Sequence, residues 1–138
     1  MKVLPQTENS LVLRTDFSDD GAWESACAAI QQPAGEFRAY VDCISDRAFD
    51  DITVEELVAL ASQSPYRSFL FVVDKMTLTH RETPILVLDL ADEPGRTFRV
   101  IPREIWGVEN NLSLANMDFV DFASCVDEDG IFRSFPGA

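Results

Sequence analysis

The chain has 138 residues, of which 46% are hydrophobic, and it carries a formal charge of −13 at pH 7, values that predict one globular domain over residues 1–138. The negative charge would repel phosphate backbones and anionic lipids, so we expect neither a nucleic acid nor a membrane as a partner. Residues 1–10 lack the apolar stretch of a secretory signal, and no apolar run reaches the roughly 20 residues of a spanning helix, which predicts a cytoplasmic protein.

The first half of the chain predicts two strands, each followed by a helix. Residues 11–17 have an apolar strand pattern, and apolar side chains recur at helical spacing over residues 23–30. Residues 37–42 alternate between apolar and polar side chains, a period of two that is typical of a strand with one solvated face. A threonine followed three residues later by a glutamate predicts a capping box, so a second helix is expected over residues 53–62.

The centre of the chain predicts the middle of the sheet. Residues 69–73 are apolar without alternation, which is typical of a strand that is covered on both faces. Residues 85–90 form a second continuous apolar run, and the Asp-Glu-Pro-Gly sequence at 92–95 favours a turn. A strand over residues 97–101 would complete a hairpin.

Two further helices are expected after the hairpin. Apolar residues recur at helical spacing over residues 105–112, and an aspartate at position 118 caps a second stripe that runs to Val126. This order of elements predicts an α/β fold. Because crossover connections are right-handed, we expect a mixed sheet of about five strands, the first three parallel and then a hairpin, with about four helices.

The thiols and the histidine exclude several kinds of chemistry. Cys27, Cys43 and Cys125 are odd in number and far apart in sequence, which predicts reduced thiols in the core rather than a disulfide framework. The lack of a Cys-x-x-Cys pair excludes the redox chemistry of that motif. His80 is the only histidine, so sites that need two imidazoles are excluded. We assign no catalytic residue.

Carboxylates at the strand ends offer one candidate site. Asp16, Asp42 and Asp74 are expected at or near the carboxyl ends of the first three strands, where open α/β sheets bind ligands. Converging carboxylates could hold Mg²⁺, because hard cations take oxygen ligands. The protein would then be a phosphoryl-handling enzyme or a small-molecule binder. The alternative is that these aspartates only cap helices and turns.

The segment between residues 106 and 118 offers a second candidate site. It contains Trp106, Glu109, Asn110, Asn111 and Asn116. Aromatic side chains contribute much of the energy at binding surfaces and amides fix the register of a partner, so these residues predict a recognition surface. The alternative is that Trp106 packs in the core and that the asparagines satisfy backbone groups in turns.

We interpret the chain as a non-catalytic protein-binding or regulatory module without a cofactor. Its negative charge favours a basic protein partner, because complementary charge speeds and steers association. The alternative is the Mg²⁺-dependent enzyme or small-molecule binder that uses Asp16, Asp42 and Asp74. The geometry of these carboxylates distinguishes the two interpretations, since a metal site needs all three within reach of one ion. The oligomeric state stays open.

Four segments that together span almost the whole chain are typical of one family: LPQTENSLVLRTDFSDDGAW, FLFVVDKMTLTH, FRVIPREIWGVENNLSLANMDFVDF and VDEDGIFRSF. On these segments the chain resembles a family of small, acidic, single-domain actinobacterial proteins that is catalogued as a domain of unknown function. The resemblance implies a stand-alone cytoplasmic protein. It implies no particular activity, cofactor or catalytic residue.

Overall fold

The structure is a computed structural model that describes residues 2–63 and 67–137 and contains six strands within them. The strands are β1 (Ser10–Arg14), β2 (Val41–Ile44), β3 (Phe69–Val73), β4 (Ile85–Asp89), β5 (Thr97–Val100) and β6 (Ile131–Phe132). They form one sheet in the order β2-β1-β3-β4-β5-β6. The predicted α/β class with a mixed sheet is confirmed: β1 lies parallel to β2 and β3, while β4 and β5 form the antiparallel hairpin.

The described residues form five α-helices, which are α1 (Asp20–Gln31), α2 (Val54–Ala61), α3 (Lys75–Thr79), α4 (Ile105–Ser113) and α5 (Phe119–Ala123). The four predicted helices correspond to α1, α2, α4 and α5. The sequence prediction missed α3 and β6, because the apolar residues of α3, Met76 and Leu78, are not at helical spacing and β6 has only two residues. No helix among the described residues has the length and apolar character needed to cross a bilayer.

The sheet has an apolar layer on each face. Alternate residues of the central strands point to opposite faces, so Leu70 and Val72 of β3 belong to one cluster and Phe71 to the other. Helices α1, α4 and α5 cover the Phe71 face, and α2 covers the Leu70 face. Every residue of β3 is buried, as the uninterrupted apolar run predicts.

The second strand begins later than its alternating pattern predicts. Residues 37–42 were expected to form it, whereas β2 starts at Val41 and ends at Ile44. The backbone N–H of Tyr40 donates to a carboxylate on α4, at 2.8 Å, instead of extending the sheet ladder on that side. Residues 37–40 therefore lie along α4, and Asp42 becomes the second residue of β2.

Candidate functional site

Helix α4 holds Trp106 at the border between the core and the surface. Ile105 and Val108, on the same helix, are buried on the Phe71 face of the sheet. The half-buried Trp106 ring packs against that apolar cluster. Its other side stacks on the ring of Phe37, with 4.4 Å between the centroids and 13° between the planes. Phe37 itself is 51% exposed, so the pair forms an aromatic edge of the protein.

Glu109 lies inside the protein and connects three elements. Glu109 is only 3% exposed, and it lines the floor of a depression beside Tyr40 and Leu114. One carboxylate oxygen accepts hydrogen bonds from Tyr40 N–H at 2.8 Å and Asn110 Nδ2 at 3.0 Å. The other accepts from the Ser10 hydroxyl at 2.7 Å. These bonds join α4 to the start of β1 and to the segment before β2.

The asparagines serve different purposes. Asn110 Nδ2 also donates to the carbonyl of Arg38 at 3.1 Å, which holds residues 37–40 beside α4. Asn111 Nδ2 donates to the carbonyl of Gly107, and the Asn111 carbonyl accepts from the backbone of Asn116 as α4 ends. The Asn116 side chain is exposed. Of the predicted binding residues, Trp106, Asn110, Asn111 and Asn116 therefore retain a solvent-accessible part.

The structure adds three exposed apolar side chains to this region, which are Phe37, Tyr40 and Leu114. Tyr40 is 53% exposed and Leu114 is 70% exposed, and both line a depression of about 300 Å³ beside Asn110. We call the surface formed by Phe37, Tyr40, Trp106, Asn110 and Leu114 the Trp106 face. The alternating pattern of residues 37–42 assigned Phe37 to the dry side of a strand. No local signal could show that this segment would lie on a helix far along the chain.

The strand-end aspartates do not converge. Asp16 follows β1 and Asp74 follows β3, as predicted, but Asp42 lies near the amino end of β2, opposite Leu11. The prediction that Asp42 lies at or near the carboxyl end of the second strand is wrong, because β2 begins at Val41. The Asp42 carboxylate accepts from the backbone N–H of Asn9 at 3.1 Å. Among the residues that the structure describes, no three His, Cys, Asp or Glu side chains are grouped to hold a metal ion.

The other two aspartates are engaged by neighbouring donors. Asp16 accepts from the hydroxyl and backbone N–H of Ser18, which lowers its pKa. Asp74 caps α3 by accepting from Thr77 N–H at 3.1 Å, and Arg99 binds both of its oxygens at 2.9 and 2.7 Å. Burial acts to raise the pKa of Asp74, but the hydrogen bonds and charge of Arg99 hold it below the ordinary value of 3.8. These contacts fit the capping interpretation.

Asp74→Asn is expected to lower the free energy of unfolding by about 1 kcal/mol at pH 7, because the amide keeps the cap but loses the ion pair, which is partly exposed. The contribution of a carboxylate with a lowered pKa is present above about pH 4 and is lost as the pH falls through the folded-state pKa. Urea denaturation at several pH values should therefore show the two proteins converging below pH 4.

The matched control is Glu24→Gln, which changes an exposed carboxylate on α1. We expect its stability difference from the wild type to be near zero at every pH. A difference between Asp74→Asn and the wild type that persists undiminished at the acidic end would show that the charge of Asp74 does not stabilise the fold.

The comparison with protein families matches the chain over residues 9–135. This range contains all six strands and all five helices, together with the Trp106 face. No curated protein matches the chain. The match covers most of the sequence and confirms the resemblance to a domain of unknown function. The chain therefore belongs to the family described as Domain of unknown function (DUF6924).

Proposed function

We propose that this protein is a non-catalytic protein-binding or regulatory module of the cytoplasm and that its Trp106 face binds a basic protein. The grouping of exposed apolar side chains carries the proposal. Phe37, Tyr40 and Leu114 are three of the six large apolar side chains that are exposed among residues 2–63 and 67–137. Single exposed apolar residues are common on protein surfaces, whereas grouped ones mark interaction sites.

The Trp106 face is rigid enough to act as a binding surface. Phe37 and the core hold the Trp106 ring between them. Glu109 and Asn110 fix the backbone that carries Arg38 and Tyr40. A surface that is ordered before binding loses less conformational entropy when the partner arrives, so more of the contact energy appears as affinity. The depression beside Tyr40 and Leu114 can accept an apolar side chain of the partner.

The charge distribution favours a basic partner. The chain has 24 acidic and 11 basic residues, and Glu8 lines the same depression as Tyr40 and Leu114. Within residues 2–63 and 67–137, the arginines seen in ion pairs include Arg14, Arg96, Arg99 and Arg133. Each pair neutralises one carboxylate as well as one arginine, so the net charge of −13 remains and makes the field outside the protein negative. A cytoplasmic location agrees with the three free thiols, because that compartment keeps thiols reduced.

A photo-reactive amino acid at position 114 tests whether this surface meets a protein. The probe would be placed in the full chain, expressed in its native cells, and irradiated before purification. The matched control carries the same probe at position 120, because Val120 is also exposed, at 46%, but lies outside the Trp106 face. We expect a discrete cross-linked protein of basic composition at position 114 only. Equal cross-linking at both positions would contradict the proposal.

The purified partner then allows a quantitative prediction. Tyr40→Ala combined with Leu114→Ser should weaken its binding by about tenfold or more, because both residues lie at the centre of the proposed contact. Val120→Ser should leave the dissociation constant unchanged. Binding measured by calorimetry should also weaken as salt rises, since screening reduces attraction between opposite charges. Unchanged affinity in the double variant, with its stability intact, would refute this assignment of the surface.

A further inference from the structure

A groove continues from the Trp106 face along the amino ends of two strands. The depression beside Tyr40 and Leu114 shares Ser10 with a second depression, of about 230 Å³. The second shares Phe69 with a third, of about 160 Å³, which ends beside the turn that follows β4. Ser10 is the first residue of β1 and Phe69 is the first residue of β3. We call these three joined depressions the amino-end groove.

Two buried carboxylates lie in the amino-end groove, one toward each end. Glu109 lines the depression beside Tyr40, and Asp89, the last residue of β4, lines the depression at the other end. Their exposed fractions are 3% and 2%. Asp89 accepts from the backbone N–H groups of residues 91–93 at 2.9, 3.2 and 2.9 Å. Each carboxylate therefore binds three donors, whereas its two oxygens offer about four acceptor positions.

The donors that the structure shows at these two carboxylates are all neutral. Glu109 accepts from a hydroxyl, a backbone N–H and an amide, and Asp89 accepts from backbone N–H groups. Within residues 2–63 and 67–137, no ion pair includes either side chain. Buried charges in proteins are usually paired with an opposite charge. A cation that enters the groove would supply this pairing at both ends.

The walls of the groove suit long cationic side chains. Apolar contact is offered by Tyr40 and Leu114 at one end and by Leu112 and Met117 at the other. Lysine and arginine have an apolar stem and a charged tip, so they can pack on such walls and place their charge at a carboxylate. The Tyr40 ring already accepts a cation, because the guanidinium carbon of Arg38 lies 5.0 Å from the ring centroid.

The rim of the groove is acidic as well. Glu8, Asp92 and Asp118 belong to its lining. Among the lining residues that the structure describes, the basic one is Arg67, which donates from Nη2 to the carbonyl of Pro5 at 2.8 Å. Carboxylates therefore outnumber basic groups in this described lining, and the groove attracts positive charge.

The sheet sets the distance between the two buried carboxylates. The register of β1, β3 and β4 places Ser10, Phe69 and Asp89 in one row across the sheet. Neighbouring strands are about 4.8 Å apart, so Ser10, whose hydroxyl binds Glu109, lies about 10 Å from Asp89. An extended peptide presents alternate side chains on one face, about 7 Å apart. The flexible stems of lysine and arginine can span the difference.

We propose that the amino-end groove binds an extended, basic segment of the partner. Two lysine or arginine side chains at alternate positions of that segment lie on Glu109 and Asp89. The apolar stem of the first fills the depression that Tyr40 and Leu114 line. This inference rests on the proposed function, because the groove begins at the Trp106 face, and it adds the conformation and the charge pattern of the partner.

Fluorescein-labelled decapeptides test the groove without the natural partner. One peptide carries two arginines at alternate positions in a background of serine, threonine and glycine. The other has the same composition with the two arginines adjacent, so that they point to opposite sides of an extended chain. Fluorescence anisotropy at physiological ionic strength measures their binding to the full chain. We expect the alternate-arginine peptide to bind about fivefold more tightly, because only its two charged groups can reach both carboxylates.

A charge-reversal variant of the rim has a matched control. Glu8→Lys combined with Asp92→Lys changes two exposed residues of the groove. Glu24→Lys combined with Glu55→Lys makes the same change in net charge at exposed positions of α1 and α2, outside the groove. The rim variant should weaken binding of the alternate-arginine peptide by about tenfold and the control by less than about twofold, since salt screens charges more than about 8 Å away.

Three results would overturn the groove assignment: equal binding of the two peptides, equal weakening by the two double variants, or no saturable binding at millimolar peptide. If photo-cross-linking at position 114 still captures a basic protein, any of these results leaves the proposed function standing and removes only the groove. Selective peptide binding together with equal cross-linking at positions 114 and 120 would support the groove and contradict the assignment of the Trp106 face.

Discussion

Trp106→Ala is expected to lower the free energy of unfolding by about 3 kcal/mol, the low end of the range for removing a large aromatic side chain. The low end applies because the Trp106 ring is half-buried. One side of the ring loses its contacts with the apolar cluster, and the other loses the stack on Phe37. Urea denaturation of the variant and the wild type measures the difference.

Phe37→Ala distinguishes the stability contributed by the stack on Phe37 from the stability contributed by the packing of Trp106 on the core. Phe37 is 51% exposed, so its removal should cost only about 1 kcal/mol, mostly the stacking interaction. If Trp106→Ala cost no more than Phe37→Ala, the ring would contribute nothing to the core. Because Trp106→Ala weakens the fold, Tyr40 and Leu114 are the better positions for testing partner binding.

Glu109→Ala is also expected to lower the free energy of unfolding by about 3 kcal/mol, because hydrogen bonds to a charged group are strong and each lost bond leaves a donor without its partner. The donors are Tyr40 N–H, the Ser10 hydroxyl and the Asn110 amide. The segment 37–40 would lose its main attachment to α4. Hydrogen exchange should therefore show faster exchange at Tyr40 together with the lower stability.

Glu109→Gln is the matched control. The glutamine carbonyl oxygen can still accept from Tyr40 and Asn110, and its amide can donate to the Ser10 hydroxyl, which also accepts hydrogen bonds. We expect a loss of about 1 kcal/mol, since only the charge is removed. If glutamine were as damaging as alanine, the charge of Glu109 and not its hydrogen-bond geometry would hold the segment.

The elements that were predicted correctly are those whose signals are local. The capping box of Thr53 and Glu56 is present at the start of α2, with Thr53 accepting from Glu56 N–H at 3.1 Å. The apolar run of β3 is buried on both faces. Neighbouring residues alone determine both features, through helix capping in one case and hydrophobic burial in the other.

The candidate site depended on contacts between distant residues. The Glu109 carboxylate and the Tyr40 N–H are 69 positions apart, and their bond helps to hold residues 37–40 beside α4, where Phe37 is 51% exposed. The segment 106–118 was recognised for its composition, which could not show that Glu109 is buried or that Tyr40 and Leu114 lie beside it.

Both edges of the sheet are short, which bears on aggregation. Edge strand β2 has four residues and edge strand β6 has two, and β2 carries the charged side chain of Asp42. The unpaired backbone groups of a long apolar edge strand can pair with a strand of another chain. Short or charged edge strands prevent this pairing. The most apolar strand, β3, is enclosed between β1 and β4. The folded protein therefore offers little backbone for fibril growth, although its centre has the composition of an amyloid-forming segment.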